Sequence, residues 1–149
     1  MKSVHEALQV IARAAGLPSL DLNADGFAEI VLGGNLLSLY FYHADESQIE
    51  ISARIVGLEG SMDDTLAVQL LTENGQRDLG RFSVLEDGGV VLGHRIELGF
   101  ETPASLIDTL NRFTREALTL ERDGATALRA RAEQHRAPAD LPTEAFLRL

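Results

Sequence analysis

The chain has 149 residues, no cysteine and a net charge of −10 at pH 7. One domain of this length builds a sizeable core unaided, and the lack of cysteine excludes disulfides, thiolate metal sites and cysteine nucleophiles. The acidic surface repels phosphate backbones, which argues against nucleic acid as a partner. We expect no signal peptide and no membrane insertion, because no apolar run approaches the ~20 residues of a membrane helix. The expected class is a soluble protein of the cell interior.

The first predicted element is an amphipathic helix over residues 3–15, whose apolar positions recur at helical spacing. Ser3 and Glu6 have the spacing of a capping box, which indicates where the helix begins. Gly16, followed by Pro18, ends it.

The segment DLNADG, residues 21–26, opens like a calcium-binding loop, with acidic or amide side chains at alternate positions. Such a loop needs a bidentate glutamate at its twelfth position, where this chain has Leu32. It also needs a helix on each side, whereas a run typical of a strand follows here. We therefore expect a turn rather than a metal site, in which short polar side chains bond the local backbone and Gly26 takes a positive φ.

Three strands are predicted next, over residues 27–32, 35–43 and 48–57. The second is apolar on both faces: Leu37, Leu39 and Phe41 point to one side, and Leu36, Tyr40 and Tyr42 to the other. A strand of this kind needs cover on both sides. Either helices cover one face and a later hairpin curls over the other, or a second subunit or a bound peptide supplies the second cover.

A short helix is predicted over residues 61–75. Ser61 and Asp64 have capping-box spacing at its start, and acidic residues there suit the positive end of the helix dipole. The Asn74-Gly75 pair is predicted to close it.

A hairpin follows, with strands over residues 79–85 and 90–98 and an Asp-Gly turn at 86–89, which is a strong hairpin signal. His94 interrupts the apolar face of the second strand. A histidine in this position is more often a hydrogen-bonded core residue than a catalytic base, and we interpret it so.

The last predicted helix has Thr102 as its cap and Pro103 at its first position, and residues 125–136 continue it beyond a glycine. The element order α-β-β-β-α-β-β-α indicates an α+β fold, an antiparallel sheet with flanking helices. We expect a single domain over residues 1–136 and a mobile tail over residues 137–149.

No local motif indicates a catalytic, metal-binding or cofactor-binding site. The histidines are scattered, the serines lack the context of a nucleophile elbow, and helix capping accounts for the Asp63-Asp64 pair. A small enzyme with a cone-like cavity stays open as an alternative, with Tyr40 or Tyr42 acting beside a carboxylate.

The order and spacing of the elements resemble those of the class I type III secretion chaperones, small proteins related to the Tir chaperone. The resemblance covers roughly residues 3–121 of this acidic chain. It is carried by the segments LDLNADGFAEIVL, LAVQLLTENG, LGRFSVLEDGGVVLGHRIEL and ASLIDTLNRFTREALTL, in that order.

This resemblance implies a homodimeric protein of the bacterial cytoplasm that is not an enzyme and uses no cofactor. Its partner would be a secreted effector, bound through a non-globular segment near the effector's N-terminus. The effector would lay apolar side chains into surface grooves and would partly add a strand to a sheet edge. The alternative is that the protein is a peptide- or protein-binding adaptor unrelated to secretion, which could be monomeric.

The resemblance also assigns two sets of residues by element order. The dimer interface is expected to include Leu66, Leu70, Leu71, Val90 and Leu92. The effector-binding groove is expected to include Val4, Leu8, Ile11, Ile30, Leu32, Leu37 and Leu39.

Overall fold

A computed structural model of the chain describes residues 1–34 and 37–136, and its elements follow the predicted order. They are α1 (Val4–Ala14), β1 (Phe27–Leu32), β2 (Leu37–Asp45), β3 (Gln48–Arg54), a 3-10 segment (Val56–Ser61), α2 (Asp64–Gln76), β4 (Arg81–Val84), β5 (Val90–Glu97), a second 3-10 turn (Leu98–Phe100) and α3 (Pro103–Arg136). The α+β class is confirmed. The predicted tail, 137–149, and the start of the predicted second strand, 35–36, lie outside the described residues.

The five strands form one antiparallel sheet in the order β1-β2-β3-β5-β4. The hairpin of β4 and β5 extends this sheet, because β5 pairs along β3. The hairpin therefore does not curl over the second face of β2, and that alternative is wrong. The edges of the sheet are β1 and β4.

One face of the sheet, called here the inner face, packs into a single hydrophobic core. Alternate strand residues are buried there, as the period of a strand requires, and they share the core with the apolar stripes of α1 and α3. The largest buried side chains of this core include Leu8, Ile11, Leu39, Phe41, Ile49, Ile51, Leu92 and Phe113. The opposite, outer face carries the residues in between, including Tyr40 and Tyr42, which are half-buried or exposed.

The predicted turn before β1 is confirmed. The Asn23 Oδ1 atom accepts hydrogen bonds from the backbone N–H groups of Asp25, at 2.9 Å, and Phe27, at 3.2 Å. Gly26 has a φ of 85°, in the left-handed region that favours glycine. The calcium-like residues thus build an Asx turn that sends the chain into β1.

The helix caps are partly as predicted. Ser3 accepts a hydrogen bond from the Glu6 N–H and caps α1, but Ser61 does not cap α2. The cap of α2 is Asp63, whose carboxylate accepts a hydrogen bond of 2.7 Å from the Leu66 N–H. Ser61 instead ends the 3-10 segment, which also cuts β3 short of the predicted residue 57.

Asn74 was predicted to close α2, but the helix continues through it to Gln76. The Asn74 side chain accepts a hydrogen bond from the Phe82 N–H, at 2.7 Å, and donates one to the Phe82 carbonyl oxygen, at 3.0 Å. This side-chain amide pairs with the edge strand β4 much as a neighbouring strand would. The helix therefore covers part of the β4 edge.

Two glycines allow the 3-10 segment to cross α3 at close range. Gly124 has a φ of 53° and is non-helical within α3. A Cβ atom there would lie 2.6 Å from the Gly57 carbonyl oxygen, and one on Gly57 would lie 2.5 Å from the Glu121 carbonyl oxygen. The break in α3 at Gly124 changes the direction of the helix, and Leu128 beyond it is buried in the same core.

His94 is hydrogen-bonded, as interpreted from the sequence: its Nδ1 atom accepts from the Gly80 N–H at 3.0 Å. Burial lowers its pKa, and the nearby Arg81 and Arg112 charges lower it further. The neutral imidazole is the form that can accept this bond.

Candidate protein-binding surfaces

The residues assigned to the effector-binding groove lie mostly in the core of the protomer. Leu32 is half-buried and packs against the core. The other six, Val4, Leu8, Ile11, Ile30, Leu37 and Leu39, are buried. They hold the helices to the sheet and offer no open surface in this form, so their contact with an effector stays a prediction.

The residues assigned to the dimer interface divide in the same way. Leu66, Leu70, Val90 and Leu92 are buried in the core, whereas Leu71 is 72% exposed. Val68, which the sequence reasoning did not single out, is 62% exposed and lies one turn before Leu71 on α2. One side of α2 is thus buried in the core, whereas Val68 and Leu71 form an exposed apolar pair on its outer side, called here the α2 pair.

The outer face of the sheet carries an aromatic cluster formed by Phe27, Tyr40 and Tyr42. The Phe27 ring centroid lies 5.6 Å from that of Tyr40 and 5.9 Å from that of Tyr42, because β1 and β2 pair with Phe27 opposite Tyr42. Partial burial raises the pKa of Tyr42, as do Tyr40 and Glu50, so its hydroxyl stays neutral. Val31, on the same face of β1, is 47% exposed.

The edge strand β1 has backbone groups that point away from the sheet. Asn23 donates to the Phe27 carbonyl oxygen and accepts from the Phe27 N–H, so both of these Phe27 groups face outward. Because outward and inward groups alternate along an antiparallel strand, those of Glu29 and Val31 lie at the same edge. Within the described residues β1 is paired on one side only, and its free edge, unlike the β4 edge bonded by Asn74, runs beside the aromatic cluster.

Within residues 1–34 and 37–136, no three histidine or acidic side chains are grouped so that they could hold a metal ion. In the same part of the chain, no helix combines the length and apolar character needed to cross a membrane. The exposed apolar side chains of the sheet and of α2 are candidates for contact with another protein, because apolar groups left in water favour burial against a partner.

Known structures share this fold. A chain of the ExsC–ExsE complex superposes with a TM-score of 0.67 at 24% identity, over 80% of this chain and 91% of that one. The Yersinia pestis type III secretion chaperone SycH, bound to a YscM2 fragment, gives 0.62 at 18% identity, over 78% and 98%. The HopA1–SchA chaperone–effector complex gives 0.65 at 9% identity, over 78% and 91%.

Sequence comparison identifies the family more directly. The search of curated protein sequences gave no match. The model of the Tir chaperone protein (CesT) family, in contrast, matches residues 6–121, which is most of the chain and nearly the span of the resemblance drawn from the sequence. The chain therefore belongs to the Tir chaperone protein (CesT) family.

Proposed function

We propose that this protein is a cytoplasmic chaperone of bacterial type III secretion. It binds an extended segment near the N-terminus of a secreted effector and keeps that effector soluble and competent for secretion. The family supports this function, and the similar folds include chaperones solved with bound partners. The family is one of chaperones rather than enzymes, so the alternative of a cone-type enzyme falls away.

The observation that carries the proposal is the open β1 edge beside the aromatic cluster. A client strand added at this edge would donate to and accept from the outward backbone groups of Glu29 and Val31. Alternate client side chains would then point to the outer face, next to Phe27 and the two tyrosines. Backbone bonds would supply affinity for many sequences, and the apolar face would select which side chains fit.

A proline at the open edge tests this mode of binding. Val31→Pro removes an N–H that points away from β2, so the existing sheet loses no hydrogen bond, but an incoming strand loses its donor. We expect the tagged variant to capture at least about tenfold less client from the native bacterium, since a lost bond and a steric block both weaken pairing. Limited proteolysis of the wild-type complex should protect one extended segment near the client's N-terminus.

Val31→Thr is the matched control, because it keeps the N–H and the β-branched shape. It should capture client at close to the wild-type level. If Val31→Pro captures as much client as Val31→Thr, strand addition at β1 is wrong. If the wild-type protein captures no client protected in this way, the chaperone function itself fails.

We further propose that the α2 pair, Val68 and Leu71, forms the centre of a homodimer interface. The residues flank the middle of a helix that spans Asp64–Gln76, so a two-fold axis near this point would bring the same pair from both copies together. The buried interface residues, such as Leu66 and Leu70, would act indirectly by fixing α2 on the core. A net charge of −10 keeps a protein with such exposed apolar groups soluble.

Leu71→Asp should convert a dimer to a monomer in size-exclusion chromatography with light scattering. The charge would be buried without a partner, and disrupting a central interface residue costs about 2 kcal/mol or more, which is roughly thirtyfold in the dissociation constant. The far-ultraviolet circular dichroism should not change, since the side chain faces outward. Val56→Asp, at an apolar residue of the 3-10 segment that is 60% exposed, should stay dimeric.

This measurement also separates the chaperone from the adaptor alternative. A wild-type protein that is monomeric at the concentrations of the assay would contradict the interface and favour the adaptor. A Leu71→Asp variant that stays dimeric would place the interface on another surface.

A further inference from the structure

An arginine-rich cleft lies between the end of α2 and the middle of α3, and none of its lining residues belongs to the aromatic cluster. Its volume is roughly 570 Å³, within the range of ligand-binding pockets and larger than a single phosphate ion needs. It is lined by Gln76, Arg77, Asp78, Leu79, Arg112, Arg115, Glu116, Thr119 and Arg131. Four guanidinium groups face two carboxylates there, in a protein whose net charge is strongly negative.

Arg77 forms the rigid floor of the cleft. Its side chain is only 9% exposed, and its three nitrogen atoms donate to the Leu79 carbonyl oxygen, Glu73 and Glu116 at 3.1–3.4 Å. Its guanidinium carbon also lies 4.9 Å from the centre of the Phe82 ring. Arg77 is therefore held in place by the protein and has little capacity left for a ligand.

Arg112 and Arg115, at the mouth of the cleft, are bound to other protein groups much less than Arg77 is. Arg112 lies 3.7 Å from Asp78, beyond hydrogen-bonding distance, and the two side chains are 49% and 91% exposed. Arg115 is exposed, and among the side chains that the structure describes, which do not include those of residues 132–136, it forms no ion pair. These two arginines lie one turn apart on α3, so their guanidinium groups share one side of the cleft.

We propose that this cleft binds carboxylate side chains of an acidic segment of the client, held by Arg112 and Arg115. This inference rests on the proposed chaperone function. The guanidinium group matches a carboxylate with two parallel hydrogen bonds. A carboxylate on a client already bound at β1 gains a further advantage over a free peptide, because its binding to the cleft is then intramolecular.

The first test needs no client. The probe is a capped six-residue peptide of alternating glutamate and glycine, and its control has glutamine in place of glutamate. Isothermal titration calorimetry at low salt should detect binding of the glutamate peptide only. Arg112→Gln with Arg115→Gln should weaken this binding at least about tenfold, because each charge-assisted bond is stronger than a neutral one.

Two further variants fix the location of the site. Arg129→Gln, an exposed residue on the opposite side of α3, is the matched control and should bind the glutamate peptide as the wild type does. Asp78→Asn should bind it several-fold more tightly, since it removes the competing carboxylate at the mouth. Raising the salt concentration should weaken binding to the wild type, as screening requires.

The proposal is overturned if the glutamine peptide binds equally, if the double variant binds as the wild type does, or if inorganic phosphate binds more tightly than the glutamate peptide. In the last case the cleft is a small-anion site. Client capture distinguishes this failure from failure of the chaperone function. A double variant that captures client at the wild-type level, while Val31→Pro does not, leaves the chaperone function standing and removes the role of the cleft.

Discussion

Gly124→Ala should lower the free energy of unfolding by about 3 kcal/mol. The φ of 53° at Gly124 is strained for any residue with a Cβ atom, which costs roughly 1–3 kcal/mol. The added methyl group would also lie 2.6 Å from the Gly57 carbonyl oxygen, and forced overpacking costs roughly 1–3 kcal/mol more. Urea unfolding followed by circular dichroism, at one fixed protein concentration, measures the difference.

Gly75→Ala is the matched control for this prediction. Gly75 lies on the exposed side of α2, and an added Cβ atom would meet nothing within 4 Å. Alanine there should raise the stability by about 0.5–1 kcal/mol, because glycine is the poorer helix former. If Gly124→Ala is as stable as the wild type, the close crossing of α3 and the 3-10 segment is not tight in solution.

Glu116→Gln should lower the free energy of unfolding by about 2 kcal/mol. Glu116 accepts hydrogen bonds from Arg77, at 3.1 Å, and Arg131, at 2.8 Å, and so joins the end of α2 to both halves of α3. Removing one partner from a buried pair costs about 3–5 kcal/mol. The partial exposure of Arg131, at 28%, reduces this effect. Asp108→Asn, at an exposed position of the same helix, should change the stability by less than about 0.5 kcal/mol.

The Glu116 carboxylate should also make the free energy of unfolding depend on pH. Desolvation raises the pKa of Glu116, but the hydrogen bonds and charges of Arg131 and Arg77 outweigh it, so the pKa lies below its ordinary value. A lowered pKa in the folded state means that this stabilisation is complete above the ordinary glutamate pKa and is lost as the pH falls through the lowered one. The stability difference between wild type and Glu116→Gln should therefore be constant near neutral pH and shrink on acidification. A difference that stays constant into the acidic range would contradict the ion pairs.

The sequence predicted the elements well, because their signals are local. The Asp-Gly turn between β4 and β5, the Asn23 turn and the Ser3 cap each depend on residues a few positions apart. Ser61 and Asp63 are equally good capping residues, and the choice between them depends on the 3-10 segment. That segment is fixed by Gly57 against α3, a contact between distant parts of the chain that no local pattern contains.

The candidate site was less predictable, for a different reason. An apolar residue at strand or helix spacing is predicted to be buried, but the pattern does not say whether the protein's own helix or a partner buries it. Ile30 and Leu39 proved to be covered by the core, whereas Val31 and Leu71 are exposed. The arginine-rich cleft joins Arg77 and Arg131, which are 54 positions apart, and only the packing of α2 on α3 brings them together.

The long distance in sequence between the sheet and α3 has a consequence during synthesis. Phe113, buried beneath the sheet, comes some sixty residues after the end of β3. At about 5–20 residues per second, ribosomes need roughly 3–12 s to make that stretch. For those seconds the apolar inner face of the β1–β3 meander has left the ribosome without the helix that covers it. The interval between the emergence of β3 and that of Phe113 from the ribosome therefore sets how long this face lacks its helical cover, and lengthening that interval should increase aggregation of the nascent chain.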